Sequence, residues 1–404
     1  MAIAQGVSKE TRFKRQSAKG ALAGTSAGQV LRRETSTFDL QKEAYTTESE
    51  ITKKAQITSV RHGAKLVNGS VTGIFSPGTY SDIVSAILRR DFASVTSITG
   101  LSITIAGSGP YTITRASGDF LTGGIKIGMV VRLTAGSFNS NNLNKNFLVT
   151  NVTATVLTVI VLNGSTMTAE GPIASATVAV PGKVTYVPET GHTNIYYTIE
   201  EWYSDAAVSE RNMDVRFNTA ALSLPGSGNA KISLTALGLD QTDDTSAYFT
   251  SPTAETTTGA LVAASGALLV NGTSQAVITD LSINIDGRGN AADAVVGSNI
   301  RPDVFRGKVA VSGTFTAYFE GGTIPDLFRD ETQTSILSAL AAGSEANADF
   351  VTLTMSAVKL SSSTPDDGET GLKRTYSFTA FFNSAGGAAL ANHATTIQVQ
   401  DSAA

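Results

Sequence analysis

The sequence predicts a mainly β protein with an internal duplication, a small all-β domain inserted between the two copies, and few short helices. Gly, Ser, Thr, Ala and β-branched residues are abundant in the 404-residue chain, a mixture that favours strands joined by turns. Residues 67–83, VNGSVTGIFSPGTYSDI, also align without a gap with residues 311–327, VSGTFTAYFEGGTIPDL. Because the two faces of the strand stay in phase in both copies, we interpret the match as a duplicated strand–turn–helix unit.

Residues 1–37 precede the main domain and lack a hydrophobic period. This pattern predicts an extended N-terminal arm, which is either a disordered tail or a segment that becomes ordered on a neighbouring subunit. The arm is rich in cations: Lys9, Arg12, Lys14, Arg15, Lys19, Arg32 and Arg33.

The main β domain is predicted to be discontinuous, with residues 38–92 and 183–384 on either side of an insert at 93–182. Six short strand candidates alternate in the insert with Gly- and Asn-rich turns, which is typical of a small barrel or sandwich. Later in the chain, residues 224–230 predict a hairpin turn, residues 240–262 a polar loop, and residues 335–343 either a helix or a hairpin arm. Residues 385–404 are small and polar, and we expect a C-terminal tail.

The residues predict neither a catalytic site nor a cofactor or metal. The chain has no cysteine, which excludes thiolate ligands and cysteine nucleophiles. His62, His192 and His393 are far apart and have no carboxylates at metal-ligand spacing. The G-x-S-x-G pattern at residues 24–28 lies in the arm, whereas a nucleophilic serine of this type sits between a strand and a helix. We therefore predict that the protein is not an enzyme.

Charge and hydropathy indicate no partner of the membrane or nucleic-acid class. The net charge of −4 provides no basic field for nucleic acid or anionic lipid. The N-terminus lacks the apolar core of a secretory signal, and no apolar run approaches the roughly 20 residues that span a bilayer. We expect the protein to fold in a cytoplasm.

Residues 56–92, QITSVRHGAKLVNGSVTGIFSPGTYSDIVSAILRRDF, resemble the tail tube proteins of long-tailed phages. The motifs that carry the resemblance are RHG at residues 61–63, SPGTY at 76–80 and LRRDF at 88–92. Residues 31–51, 117–133, 196–205 and 267–273 resemble other segments of the same family, in the same order along the chain.

The resemblance implies a β-sandwich or partial barrel of two related halves. It implies hexameric rings that stack into the tube of a flexible, non-contractile tail, enclose the tape measure protein and conduct genomic DNA in passage. The tail terminator and distal tail proteins would be further partners, and the protein would be a virion component assembled in the host cytoplasm. The insert would lie on the tube exterior. We expect contacts between subunits or rings from Lys9, Arg12, Lys14, Arg15, Arg32 and Arg33.

Two other functions remain open on the residues alone. A head decoration or adaptor protein would share the composition but would not polymerise by itself. A carbohydrate-binding adhesin would use the insert, or the aromatic residues around Trp202, to hold a sugar.

Overall fold

The mainly β prediction is confirmed by a computed structural model, which describes residues 3–49, 51, 53, 56–163, 166–275, 277–369 and 371–404. A short 3-10 helix at Gly6–Ser8 precedes the first strand. The elements before the insert are β1 (Lys9–Arg15), β2 (Ser26–Val30), β3 (Thr35–Thr46), β4 (Val60–Ile74) and α1 (Ser81–Leu88). Those of the insert are β5 (Ile98–Ala106), β6 (Tyr111–Arg115), β7 (Val130–Ala135), β8 (Phe147–Val152), β9 (Val156–Val161) and β10 (Glu170–Ala179).

The remaining elements complete the main domain. The first group is β11 (Lys183–Tyr186), β12 (Tyr197–Tyr203), β13 (Val208–Pro225), β14 (Lys231–Gly238), β15 (Asp240–Asp244) and β16 (Ser251–Thr253). The second group is β17 (Val262–Val270), β18 (Thr273–Ser274), β19 (Ile278–Asp286), β20 (Gly289–Ala291), β21 (Val304–Arg306), β22 (Ala310–Tyr318) and α2 (Thr323–Arg329). The last group is β23 (Thr334–Ala341), β24 (Phe350–Pro365), β25 (Lys373–Ala380) and β26 (Gln398–Asp401).

The duplication extends well beyond the repeated strand. The first half contains β1, β3, β4, α1, β12, β13 and β14, and the second half repeats this order as β17, β19, β22, α2, β23, β24 and β25. Strand pairing repeats as well, since β4 lies between β3 and β14 while β22 lies between β19 and β25. Helix α1 packs on β13 and α2 packs on β24. The chain is therefore two copies of one sandwich-like unit.

A glycine is repeated in both copies because an aromatic ring occupies the space above it. A Cβ atom on Gly69 would lie 2.3 Å from the Phe38 ring, and one on Gly313 would lie 2.5 Å from the Phe378 ring. Each ring belongs to the residue directly opposite on the neighbouring strand. Cross-strand packing of this kind fixes strand register in the two halves.

The two halves share one sheet of eight strands in the order β3-β4-β14-β13-β19-β22-β25-β24. Strands β13 and β24 are long and bend at β-bulges, so that their first parts leave this sheet and pair with β12 and β23 in a second layer. One apolar core lies between the layers and includes Val71, Ile283, Phe315 and Leu353. The other face of the eight-stranded sheet remains open to solvent.

The segment predicted as an insert holds a closed barrel of six strands in the order β10-β5-β6-β9-β8-β7. Its two ends meet, because Ala93 and Val184 exchange two backbone hydrogen bonds of 2.9 Å. The barrel has its own core, yet it also shares an apolar contact with the second half through Leu148, Leu337 and Phe350. It therefore packs on the outer layer of the second half rather than extending freely.

Two predictions about the chain ends are wrong. Within the predicted arm of residues 1–37, β1 pairs with β12 along its whole length, and Thr11, Arg12 and Phe13 are buried. A strand buried on both faces shows no alternation, which is why the sequence pattern missed it. The predicted C-terminal tail of residues 385–404 contains β26, a buried strand between β24 and β11.

Some shorter segments differ from the prediction, and others decide between its alternatives. Residues 335–343 were ambiguous and lie mostly in strand β23. The predicted polar loop at 240–262 contains the short strands β15 and β16. The hairpin predicted at residues 224–230 is confirmed, since β13 and β14 pair on either side of it. Along the described part of the chain, no helix has both the length and the apolar character to cross a bilayer.

Candidate assembly surface

The eight-stranded sheet ends in two open edges. Among the described residues, β3 pairs only with β4, and the segment Lys359–Pro365 of β24 pairs only with β25. An open edge presents unpaired backbone N–H and C=O groups, to which a strand of another chain can add. Side chains satisfy a small part of the β3 edge, because Lys9 donates to the Ser36 carbonyl at 2.8 Å and Gln241 donates to the Phe38 carbonyl at 3.4 Å.

The counterparts of these two edges are already paired within the chain. They meet at the contact between β13 of the first half and β19 of the second half, which we call the seam. Strand β13 joins β19 as antiparallel neighbours, with residues 219–225 opposite residues 286–280. In the duplication β13 corresponds to β24, and β19 corresponds to β3. The seam therefore shows how a strand equivalent to β24 pairs with a strand equivalent to β3.

Counterparts can be assigned residue by residue from the repeated strand. Asn68 in β4 aligns with Ser312 in β22. Asp39 lies opposite Asn68, and Asn284 lies opposite Ser312, so Asp39 and Asn284 occupy the same place in the two halves.

The same comparison links β13 with β24. Thr72 of β4 and Thr316 of β22 are counterparts. Thr72 lies opposite Ser233 of β14, which in turn lies opposite Ala221 of β13. Thr316 lies opposite Thr375 of β25, which in turn lies opposite Thr364 of β24. Ala221 and Thr364 are therefore counterparts.

The solvent-facing side of the eight-stranded sheet is lined by hydroxyl groups. Neighbouring strands are joined on this face by short hydroxyl–hydroxyl hydrogen bonds. These are Thr35–Thr72 at 2.6 Å, Thr219–Thr235 at 2.7 Å, Ser282–Thr314 at 2.8 Å and Thr316–Thr375 at 2.9 Å. Hydroxyl pairs across strands stabilise the pairing and make this face polar.

All six cations predicted to contact other subunits have partners within the chain. Lys9 pairs with Glu201 at 2.8 Å, and Arg12 lies near Glu10 and the fully buried Glu200. The other partners are Asp82 and Asp91 for Arg15, the Gly24 and Ser26 carbonyls for Lys14, the Thr256 and Thr258 carbonyls for Arg32, and Thr11 with the Lys9 carbonyl for Arg33. A role for these side chains between subunits remains a prediction.

The structure also places three carboxylates in a row that the sequence did not reveal. Glu201 of β12 lies opposite Glu210 of β13, which lies opposite Asp243 of β15. Burial raises the pKa of Glu210, and repulsion by Glu201 and Asp243 raises it further. Like charges directly opposite each other destabilise a sheet, and Lys9, which pairs with Glu201 at 2.8 Å, offsets part of this repulsion. Only the strand register brings the three residues together, which explains why no motif indicated them.

The described residues contain no group of three or more His, Cys, Asp or Glu side chains arranged to hold a metal ion. Their distinctive features are two open strand edges and a hydroxyl-lined face, which together form a candidate assembly surface.

Comparison with known families gives one match. A family model described as phage tail tube protein matches residues 5–380, which is nearly the whole chain. No curated protein matches the chain.

Proposed function

The chain belongs to the phage tail tube protein family, and we propose that its copies join head to tail into hexameric rings through their two open sheet edges. As a member of this family it is a structural component of the phage tail. The β13–β19 seam carries the proposal, because it shows the same two edge types paired inside the chain. The family match favours this function over the decoration-protein and adhesin alternatives.

The seam supplies the register of the proposed contact. Ala221 lies opposite Asn284 in the seam. Their counterparts are Thr364 and Asp39, so the same register places Thr364 of one copy opposite Asp39 of the next. Repetition of this contact around the ring gives a closed sheet without free edges.

Stacked rings would form the tube that encloses the tape measure protein and conducts DNA, with the tail terminator and distal tail proteins at its ends. The hydroxyl-lined face suits the lumen, because DNA adheres through phosphates neutralised by Lys and Arg, and hydroxyl groups neutralise none. The inserted barrel would lie on the tube exterior, since it packs on the layer opposite this face. Assembly would take place in the bacterial cytoplasm, without a membrane.

Disulfide mapping tests the register directly, because the chain has no native cysteine. We expect the variant Asp39→Cys/Thr364→Cys, oxidised after assembly, to give a ladder of covalent multimers that ends at the closed ring of six. Residues opposite each other in antiparallel strands have Cα atoms about 4.5–5.5 Å apart, which is within disulfide range.

The matched control moves one cysteine along β3. In Thr35→Cys/Thr364→Cys the two sites would be about 13 Å apart along the strand, so no ladder should form. Assembled material that cross-links in the control, or in neither variant, contradicts the proposed pairing.

A further inference from the structure

Helices α1 and α2 occupy corresponding positions but have different surroundings. Nearly all of α1 is buried, whereas only Pro325 and Leu327 of α2 are buried. Two aligned hydrophobic positions of the repeat show this difference clearly. Phe75 and Val84 are 5% and 6% exposed, whereas their counterparts Phe319 and Phe328 are 48% and 37% exposed.

The seam between the halves explains why Phe75 and Val84 are buried. A very small interior cavity is lined by both side chains and by Val351, Leu353 and Val399. These three residues belong to β24 and β26 of the second half, at the side that faces the first half. Burial of Phe75 and Val84 therefore depends in part on the second half, which lies next to them.

Phe319 and Phe328 have no such neighbour within the chain. Together with Leu372 and Arg374 they form a partly exposed surface, which we call the α2 patch. Leu372 is 50% exposed. Adjacent exposed apolar side chains of this kind mark an interaction site. The patch adjoins β24, on which α2 packs, and β24 carries one of the two open edges.

The duplication also identifies the surface that would face the patch. The first half carries β13 and β15 where the second half carries β24 and β26. At the aligned positions, Glu210 replaces Leu353 and Asp243 replaces Val399. We call Glu210 and Asp243 the acidic edge. Neither carboxylate forms an ion pair with any residue that the structure describes.

The α2 patch shows the complementary change. Arg374 lies opposite Ala317, in the place where the first half has the buried Ile232. Its guanidinium lies 5.0 Å from the centre of the Phe319 ring and donates to the Ser363 hydroxyl. Within the described chain it too lacks an ionic partner. At the seam the corresponding positions are apolar. The α2 patch instead carries one cation, and the acidic edge carries two anions.

We propose that the α2 patch of one copy docks on the acidic edge of the next copy, with Arg374 paired to Glu210 and Asp243. The partner is a second copy of this chain, because the β13–β19 seam repeated at the open edges brings these two surfaces together. This contact rests on the proposed ring. It adds ion pairs between neighbouring copies, which would fix the order in which the two edges meet. Buried opposite charges of this kind determine orientation and partner choice.

Charge reversal and rescue test the contact. We expect Arg374→Glu, and separately Glu210→Lys/Asp243→Lys, to weaken self-association at least tenfold in sedimentation experiments. The triple variant Arg374→Glu/Glu210→Lys/Asp243→Lys should regain most of the affinity, because the pairs are restored with opposite sign. Lys145→Glu on the inserted barrel is the matched control and should assemble normally.

Phe328→Ser gives a second test that leaves the β24 edge intact. It should weaken assembly without loss of thermal stability in the unassembled protein. The contact is overturned if all these variants assemble like the wild type, or if the triple variant fails to recover while its unassembled form is folded. The Asp39→Cys/Thr364→Cys disulfide ladder, measured in the same variants, reports the strand pairing separately. Absence of the ladder even without the charge changes would show that the proposed ring itself is wrong.

Discussion

Arg12 illustrates how a residue with the sequence context of a surface cation can act in the protein interior. Its guanidinium lies 3.5 Å from the carboxylate of Glu200, which is fully buried. The same carboxylate accepts hydrogen bonds from the backbone N–H of Tyr248 and Phe249 and from the Ser209 hydroxyl. Because a buried carboxylate requires compensation, Arg12 is expected to stabilise the fold of its own chain.

We predict that Arg12→Ala lowers the free energy of unfolding by about 3 kcal/mol, since it leaves a buried charge without its cation. Urea unfolding of the unassembled protein measures this change. The control Lys14→Ala should change stability by less than about 1 kcal/mol, because its exposed amine donates to the Gly24 and Ser26 carbonyls and compensates no buried charge among the described residues. Unchanged stability of Arg12→Ala with loss of assembly would instead assign Arg12 to a subunit contact.

Side-chain direction in the repeated strand can be read from the sequence. Alternation places Val67, Val71 and Phe75 on one face, and these side chains are buried, as are Val311 and Phe315 in the second copy. Phe319 lies on the same face by alternation, and it is exposed. Alternation identifies a face of a strand, whereas burial of that face also depends on what lies above it, and that neighbour is not encoded locally.

At the scale of elements, the sequence located the strands of the insert but not the way the insert packs. Six strand candidates correspond to the six strands of the barrel. Its contact with the second half involves side chains distant in sequence, such as Gln400, which donates to the Val130 carbonyl and accepts from the Val130 N–H. Contacts of this range leave no periodic pattern. Strands β1 and β26 were missed for a related reason, because neither alternates.

We predict that replacing residues 94–182 by a short Gly-Ser linker makes the protein aggregate, although Ala93 and Val184 are already adjacent. The deletion uncovers Leu269, Leu337 and Phe350, which pack against the barrel. Soluble yield and light scattering measure the effect. Adding Leu269→Thr and Leu337→Thr to the deletion should restore solubility. A deletion variant as soluble as the full chain would show that this contact contributes little.

At the scale of the whole molecule, the duplication is what connects sequence to assembly. The sequence revealed the repeated strand and the resemblance to tail tube proteins, and the family match confirms that identification. It could not reveal which strand edges remain open, because register depends on pairings between residues more than 100 positions apart, as between β14 and β4. The two halves paired at β13 and β19 are therefore the most informative feature of the structure.

Electron cryo-microscopy of the assembled protein would show directly how the strand edges of neighbouring copies pair. We expect rings of six subunits in which twelve related halves form one closed sheet, with Thr364 of each copy opposite Asp39 of the next and hydroxyl groups facing the lumen. Rings or tubes in which the β3 edge and the last part of β24 both face solvent would contradict it.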